Sequence, residues 1–266
     1  MSAYQDFENY FAGINDLCCT LNLLNWDSNT QMPGGGASTR SFQIATLASI
    51  AQQKLASDET LKRIEAAEKE IAGEPPDGYR SRALSQARDA YMTSIRIPLD
   101  LVTRINELKV SAQQAWIQAR NEKNYSIFEP YLKKIVEMNQ RMADAIGYTD
   151  VPYDALLDRY EPGITLSLLR SLFKDLKAGL DPILDLAKSS SPPHTDFLFR
   201  DYPEDLQRKF GMEIVRKFGY DFQRGRLDIA VHPFEVSFTR QDVRITTRYK
   251  RNFLPAAIFG MFHECG

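Results

Sequence analysis

The spacing of apolar residues predicts that helices make up most of this chain. Between residues 4 and 25 the apolar side chains recur every three or four positions, which is the pattern of a helix with one buried face. They are Phe7, Phe11, Ile14, Leu17, Leu21 and Leu24. The same period returns from residue 38, in residues 59–71, 81–121 and 127–146, and from residue 165 to the Ser-Pro tract at 189–193. We therefore expect an irregular assembly of helices.

Proline and glycine set the expected breaks between these helices. Three consecutive glycines after Pro33, at residues 34–36, are expected to form a turn or loop, and Pro98 is expected to bend the long helix of residues 81–121. The apolar pattern also predicts which side chains point inward. In the second helix they are Ile44, Leu47, Ile50 and Ala51, and in the helix from residue 165 they are Leu169, Leu172, Phe173, Leu176 and Leu180.

After Gly225 the helical period gives way to alternation of apolar and polar residues, which is typical of strands. The alternating segments are residues 227–232, 235–238 and 243–249, which predict two short strands that could pair as a hairpin. Residues 252–266 return to a helical period, with Pro255 in the first turn, where its missing N–H costs nothing. The predicted organisation is a helical region at residues 1–225, followed by strands and one helix at residues 226–266.

Composition narrows the class of protein. With 266 residues and 43% of them apolar, the chain can bury a sizeable core. Its formal net charge is -2, and both signs are scattered along the sequence, so we expect neither a nucleic-acid partner nor a membrane partner. The N-terminus lacks a signal-peptide pattern, and no run approaches the ~18 apolar residues of a membrane span. The spacing of the three cysteines indicates neither a disulfide framework nor a CxxC metal site. A cytoplasmic protein is the prediction.

Candidate chemistry lies at the end of the last predicted helix. His263, Glu264, Cys265 and Gly266 match the first four positions of HExxH, in which two histidines one helical turn apart bind zinc and the glutamate is the general base. The second histidine would be the next residue. A His-Glu pair alone is a weak signal, because such a pair on a helix is usually solvated or part of the core. The strand predicted just upstream strengthens the signal, since HExxH peptidases align substrate along a strand beside this helix.

Three further motifs join the His263-Glu264-Cys265-Gly266 segment, and the four together make a family resemblance specific. The segments are His232-Pro233-Phe234, Asp242-Val243-Arg244-Ile245-Thr246, His263-Glu264-Cys265-Gly266 and the stretch from Trp26 to Gly36, followed by Arg40 and Gln43. In order and spacing they are similar to the HPF, DxRxT and HExxH motifs and the N-terminal tryptophan-to-glycine segment of the carboxypeptidase Taq family.

This resemblance implies a mainly α metallopeptidase fold with a small sheet beside a deep cleft. It further implies a zinc enzyme, with cobalt or manganese as possible substitutes, that removes C-terminal residues from peptides with broad specificity and forms a homodimer when intact. By the same resemblance His263 is the first metal ligand and Glu264 the catalytic base. Asp242, Arg244, Thr246 and His232 are substrate-binding or cleft residues. An arginine suits this chemistry because its guanidinium can bind a C-terminal carboxylate in bidentate fashion.

Plainer interpretations remain open. Arg244 could face solvent or pair with Asp242, His232 could be a histidine packed at a turn, and Trp26 could belong to the core. The family pattern also requires a second histidine after Gly266 and a later glutamate ligand. We therefore expect this chain to be an incomplete and inactive part of the enzyme, with apolar surface exposed. The alternative is a non-catalytic helical scaffold, serving in dimerisation or binding.

Overall fold

The computed structural model describes residues 1–266 as ten α-helices and one three-stranded sheet. The helices are α1 (Ala3–Thr30), α2 (Ala37–Leu55), α3 (Asp58–Glu70), α4 (Tyr79–Arg96), α5 (Leu99–Glu122), α6 (Glu129–Ile146), α7 (Pro152–Leu157), α8 (Leu166–Ser189), α9 (Glu204–Lys217) and α10 (Pro255–Cys265). The strands are β1 (Gly225–Ile229), β2 (Glu235–Thr239) and β3 (Asp242–Thr247). The mainly α fold with a small sheet is therefore confirmed.

Residue contacts divide the chain into two compact units. The first comprises Met1–Leu21 and Pro33–Asp175, and the second comprises Asn22–Met32 and Leu176–Gly266. The boundary that the sequence suggests at residue 225 falls inside the second unit and stays a prediction. No helix of the chain combines the length and apolarity that crossing a membrane requires.

The first unit is held together by helix pairs with small residues at their contacts. Helix α2 packs along α5, and the buried side chains on both are mostly alanines, which lets the two helices approach closely. A separate cluster joins the start of α1 to α3 and α4 through Tyr4, Phe7, Ile64, Ala67, Ile71, Leu84, Ala87 and Tyr91. The prediction for Ile50 was wrong, because this side chain points away from the buried face of α2 and is exposed.

Two predicted features of the backbone are refined by the structure. Pro98 does not bend one helix but separates α4 from α5, because the residue before a proline is driven out of the helical region. Ile97 accordingly has an extended conformation, with φ -87° and ψ 117°. The three glycines at residues 34–36 form a single turn of 3₁₀ helix leading into α2.

The second unit contains the sheet, with α9 and α10 packed together and α10 packed on β3. The strand order is β1-β3-β2, with β1 parallel and β2 antiparallel to β3. The expectation of two strands was therefore wrong: the segments 227–232 and 235–238 contribute to separate strands, β1 and β2, with a turn at residues 230–234 between them, and only β2 and β3 form a hairpin. The core beneath the sheet consists of Val215, Leu227, Ile245, Ala257 and Met261.

The inward face predicted for α8 was also wrong. None of its residues is buried, and Leu172, Phe173, Leu176 and Leu180 are exposed. The apolar period correctly identified an amphipathic helix. It could not show whether residues of this chain cover the apolar side.

Candidate active site

Strand β3 is the central element of the candidate site, because it pairs with both other strands. Its first half is partly exposed, whereas Ile245, Thr246 and Thr247 are completely buried. A polar residue in such a position needs hydrogen-bond partners. The hydroxyl groups of the two threonines hydrogen bond to the chain segments that pack beside the strand, so the side chains of β3 hold these segments in place.

The first of these partners lies in the HPF segment. The Thr246 hydroxyl donates to the carbonyl oxygen of Phe234 at 3.0 Å and accepts from the Phe234 N–H at 2.7 Å. The Thr247 hydroxyl donates to the carbonyl oxygen of Ala257 in α10 at 3.0 Å. Adjacent threonines thus attach β3 to the HPF segment and to the helix that carries His263. The structure brings these three sequence motifs together.

Arg244 is held on the sheet by a carboxylate and two aromatic rings. Its Nε and Nη2 donate to the two oxygens of Asp242 at 2.9 and 2.8 Å, the bidentate geometry typical of strong arginine–carboxylate pairs. Its Cζ lies 4.4 Å from the ring centroid of Trp26 and 4.9 Å from that of Phe238. Only 17% of the side chain is exposed. Two plainer interpretations of Arg244 were open, a pair with Asp242 and a side chain that faces solvent. The structure agrees with the pair, whereas the low exposure excludes a solvent-facing side chain.

The neighbouring strand repeats this arrangement in reverse order. Arg226 of β1 lies directly beside Arg244 in the register, and its Nε and Nη2 each donate to an oxygen of Asp228 at 2.6 Å. Asp228 is almost completely buried and also accepts from Gln31 Nε2 at 3.3 Å. The hydrogen bond from Arg226 to Asp228, together with the negative charge of this carboxylate, raises the pKa of Arg226.

Trp26 connects the two arginines. Its ring centroid lies 5.0 Å from the Arg226 Cζ, so one indole contacts both guanidinium groups, and the tryptophan is only 6% exposed. Sequence reasoning had correctly allowed a core position for Trp26 but had missed Arg226 and Asp228. The signal was present as Arg-Leu-Asp in β1, the mirror of Asp-Val-Arg in β3.

Tyr220 joins the first strand to the central one. Its hydroxyl lies 2.6 Å from the carbonyl oxygen of Val243 and 3.2 Å from that of Arg226. Burial raises the pKa of Tyr220 to about 12. Gly225 lies so close beneath this tyrosine that a Cβ there would come within 2.3 Å of the hydroxyl and 2.4 Å of the Val243 oxygen. A side chain at this position is therefore incompatible with the present strand pairing.

The residues predicted for metal chemistry lie at the end of α10. His263 is exposed and Glu264 partly exposed, and neither side chain hydrogen bonds to the strand residues described above. Burial raises the pKa of the neighbouring Cys265 thiol. His232 is exposed in the turn between β1 and β2, with Nδ1 2.7 Å from the carbonyl oxygen of Pro233. The roles assigned to His232, Asp242, Arg244, Thr246, His263 and Glu264 stay predictions.

Catalytic zinc sites normally use three protein ligands. Within residues 1–266, no group of three or more His, Cys, Asp or Glu side chains is arranged to hold a metal ion. The donor groups of this chain therefore do not by themselves fit the metal that the HExxH pattern implies, although His263 is one suitable ligand.

A helix with a His-Glu pair near its end, packed on a small sheet within a helical protein, agrees with the first half of the zinc helix of HExxH metallopeptidases and points to that class. The particular family follows from direct comparison. The model of the family described as Carboxypeptidase Taq (M32) metallopeptidase matches residues 6–266, and the chain belongs to this family. The resemblance seen in the motifs is thereby confirmed.

Curated relatives agree with this assignment. The chain is 35% identical over 245 residues to Carboxypeptidase 1 of Bacillus subtilis, covering 92% of this chain and 48% of the relative. It is 34% identical over 275 residues to Thermostable carboxypeptidase 1 of Thermus thermophilus, covering 100% of this chain and 54% of the relative. The chain thus spans about half the length of the curated relatives it matches.

Solved structures show the same relation. The crystal structure described as BsuCP superposes with a TM-score of 0.94 at 33% identity, over 99% of this chain and 53% of that one. The M32 carboxypeptidase from Deinococcus radiodurans R1 gives a TM-score of 0.84 at 29% identity, over 99% and 52% of the two chains. The fold of the whole chain is therefore that of one half of these proteins.

Proposed function

We propose that this chain forms part of a metal-dependent carboxypeptidase that releases single residues from the C-termini of peptides with broad specificity. The observation that carries the proposal is the attachment of α10 to β3. Thr247 hydrogen bonds to Ala257, and Met261, one turn before the end of the helix, is buried in the core beneath the sheet. The helix is anchored by one face, while His263 on the other face stays exposed and available to a metal.

His263 is assigned as one metal ligand and Glu264 as the general base. A divalent metal bound there would supply Lewis-acid chemistry. The chain lacks the further ligands, so we derive no reaction step through a metal held by these residues alone. We expect the chain by itself to be inactive. Zinc is the proposed metal, with cobalt and manganese as possible substitutes.

Asp242, Arg244 and Thr246 are assigned to organising the wall of the substrate cleft. Arg244 gives Nε and Nη2, on one edge of its guanidinium, to Asp242, so a substrate carboxylate would have to bind the remaining edge, formed by Nη1 and the second N–H of Nη2. His232, exposed beside the sheet, is free to approach a peptide. For the complete enzyme we propose a cytoplasmic homodimer, and the three free cysteines suit a reducing compartment.

The proposal is tested by measuring metal content and peptidase activity together. We would express this chain and, where its gene continues past Gly266, the longer product, and assay zinc by emission spectroscopy and cleavage of a blocked dipeptide. The longer product should carry about one zinc per chain. Its Glu264→Gln variant should have a kcat at least ~100-fold lower, because general-base catalysis contributes roughly 10²–10⁴-fold to the rate.

The matched control is Glu213→Gln on the exposed surface of α9, which should keep full activity. A longer product that binds no metal, or a Glu264→Gln variant as active as the control, would contradict the proposal. The non-catalytic scaffold would then be the better description of the chain.

A further inference from the structure

Helix α8 presents one continuous apolar face that nothing in this chain buries. A helix of 24 residues is about 36 Å long, and the side chains on one side of α8 are almost all large and apolar. We refer to eight of them as the α8 stripe, and each is between 43% and 67% exposed. They are Leu168, Leu172, Phe173, Leu176, Leu180, Ile183, Leu184 and Leu186.

The opposite side of α8 already has the partners that a solvated surface needs. Lys177 pairs with Asp181 at 2.6 Å, and Lys188 pairs with Asp185 at 3.5 Å, both one helical turn apart. The polar side is therefore complete as a surface facing water. The α8 stripe is not complete as a surface facing water, because soluble proteins rarely expose a contiguous apolar patch of this length unless it is a binding surface.

The charges beside the α8 stripe argue against a second copy of this chain as its partner. At about 100° per residue, Arg170 and Lys177 fall on the flank next to Leu184. In an antiparallel pair of identical helices related by a two-fold axis, each flank meets the same flank of the other helix. This flank carries Arg170, Lys177 and Lys188 against Asp181, so two flanks of net positive charge would then oppose each other. The flank instead suits a different apolar surface that is bordered by acidic residues.

The lengths of the relatives indicate what this surface is. This chain covers 48% and 54% of the two curated relatives and 53% of the BsuCP structure, which it matches with a TM-score of 0.94. The same fold therefore occurs, in those proteins, together with about as much additional polypeptide.

We propose that the α8 stripe is the docking surface for the polypeptide equivalent to the half of the M32 relatives that this chain does not span. The inference rests on the proposed function, because that half is also the expected source of the remaining metal ligands. It adds to the proposed function the place at which the two halves associate.

The test is to co-express this chain with the part of Bacillus subtilis carboxypeptidase 1 that lies outside the matched region. The two polypeptides should co-purify as a complex with one copy of each by sedimentation velocity. Amide hydrogen exchange in residues 166–189 should slow at least tenfold relative to this chain alone, because the helix becomes buried. Neither readout requires metal or peptidase turnover, so an inactive complex would count against the proposed function and leave the docking result standing.

Matched variants place the contact on one face of the helix. Leu180→Glu and Leu176→Glu introduce a charge into the α8 stripe, whereas Lys174→Glu introduces the same residue on the polar side. The first two should weaken the complex at least ~100-fold and the third less than ~3-fold. All three positions are exposed, so the helical content of the free chain should not change.

Three outcomes would overturn the proposal. They are the absence of any complex, a complex in which exchange in α8 is unchanged, and a chain that dimerises on its own through the α8 stripe and becomes monomeric on Leu180→Glu. The last would identify a second copy as the partner.

Discussion

Replacing Arg244 tests whether the second unit depends on the contacts that surround this side chain. Arg244→Ala removes the bidentate pair with Asp242 and both aromatic contacts, with Trp26 and with Phe238. Arg244→Lys keeps the charge but cannot form the planar fork or stack on the indole. Arg240→Ala, at an exposed arginine in the turn before β3, is the matched control.

The structure sets the expected magnitude. Asp242 is 42% exposed, so solvent screens the ion pair, and we assign about 1–2 kcal/mol to the two charge-assisted hydrogen bonds together. Each aromatic contact contributes about 0.5–1 kcal/mol. Because such terms do not add fully, we expect Arg244→Ala to lower the free energy of unfolding by about 2–3 kcal/mol. Arg244→Lys should cost about half as much, and the control less than about 0.5 kcal/mol.

The assay is urea unfolding followed by tryptophan fluorescence. The chain has two tryptophans, of which Trp116 lies in the first unit and Trp26 in the second. In a Trp116→Phe background the emission reports only the second unit, in which Arg244 lies. A double-mutant cycle with Asp242→Asn should give a coupling of about 1 kcal/mol between the two side chains.

The reasoning would be refuted if Arg244→Ala destabilised the second unit no more than Arg240→Ala. The contacts of Arg244 would then contribute nothing measurable to the stability of the second unit. If Arg244→Ala lowered the free energy of unfolding by the expected amount but the double-mutant cycle showed no coupling to Asp242, the stabilisation would come from the aromatic contacts alone.

Two further substitutions test the strand pairing. Gly225→Ala should lower the free energy of unfolding by about 2–3 kcal/mol, because the added Cβ would overlap Tyr220 and the Val243 backbone. The control is Gly179→Ala, where an added Cβ meets nothing within 4 Å, and in the same urea assay it should be neutral or stabilising. Equal effects at the two glycines would contradict this. The ordinary pKa of Tyr220, 10.0, is raised to about 12 in the fold, so its contribution is complete below pH 10 and lost as pH rises towards 12. The stability difference between the wild-type chain and Tyr220→Phe, measured from pH 9 to 12, should shrink by about 1 kcal/mol, discounted for partial exposure, and a constant difference would refute it.

Sequence periodicity predicted the long helices well, because helix formation depends on residues three and four positions apart, but it assigned neither the short α7 nor α9. It was less reliable where two local signals compete. At Pro98 the apolar period continues on both sides of the proline, and only the steric restriction on Ile97 decides that two helices form. Between residues 227–232 and 235–238 the alternation is interrupted at Pro233, and this proline, not the apolar residues on either side of it, marks the turn that separates β1 from β2.

The sequence by itself determined the helical class, the family motifs and the identity of His263 and Glu264 as chemically suited residues, because these depend on residue type and short spacing. Only the tertiary structure decided that Arg226 and Arg244 meet on Trp26, since β1 and β3 are brought side by side by pairing across a distance in sequence. The α8 stripe shows the same limit. Its apolar period is local, whereas its exposure depends on which other segments pack against it, and packing is a property of the whole assembly.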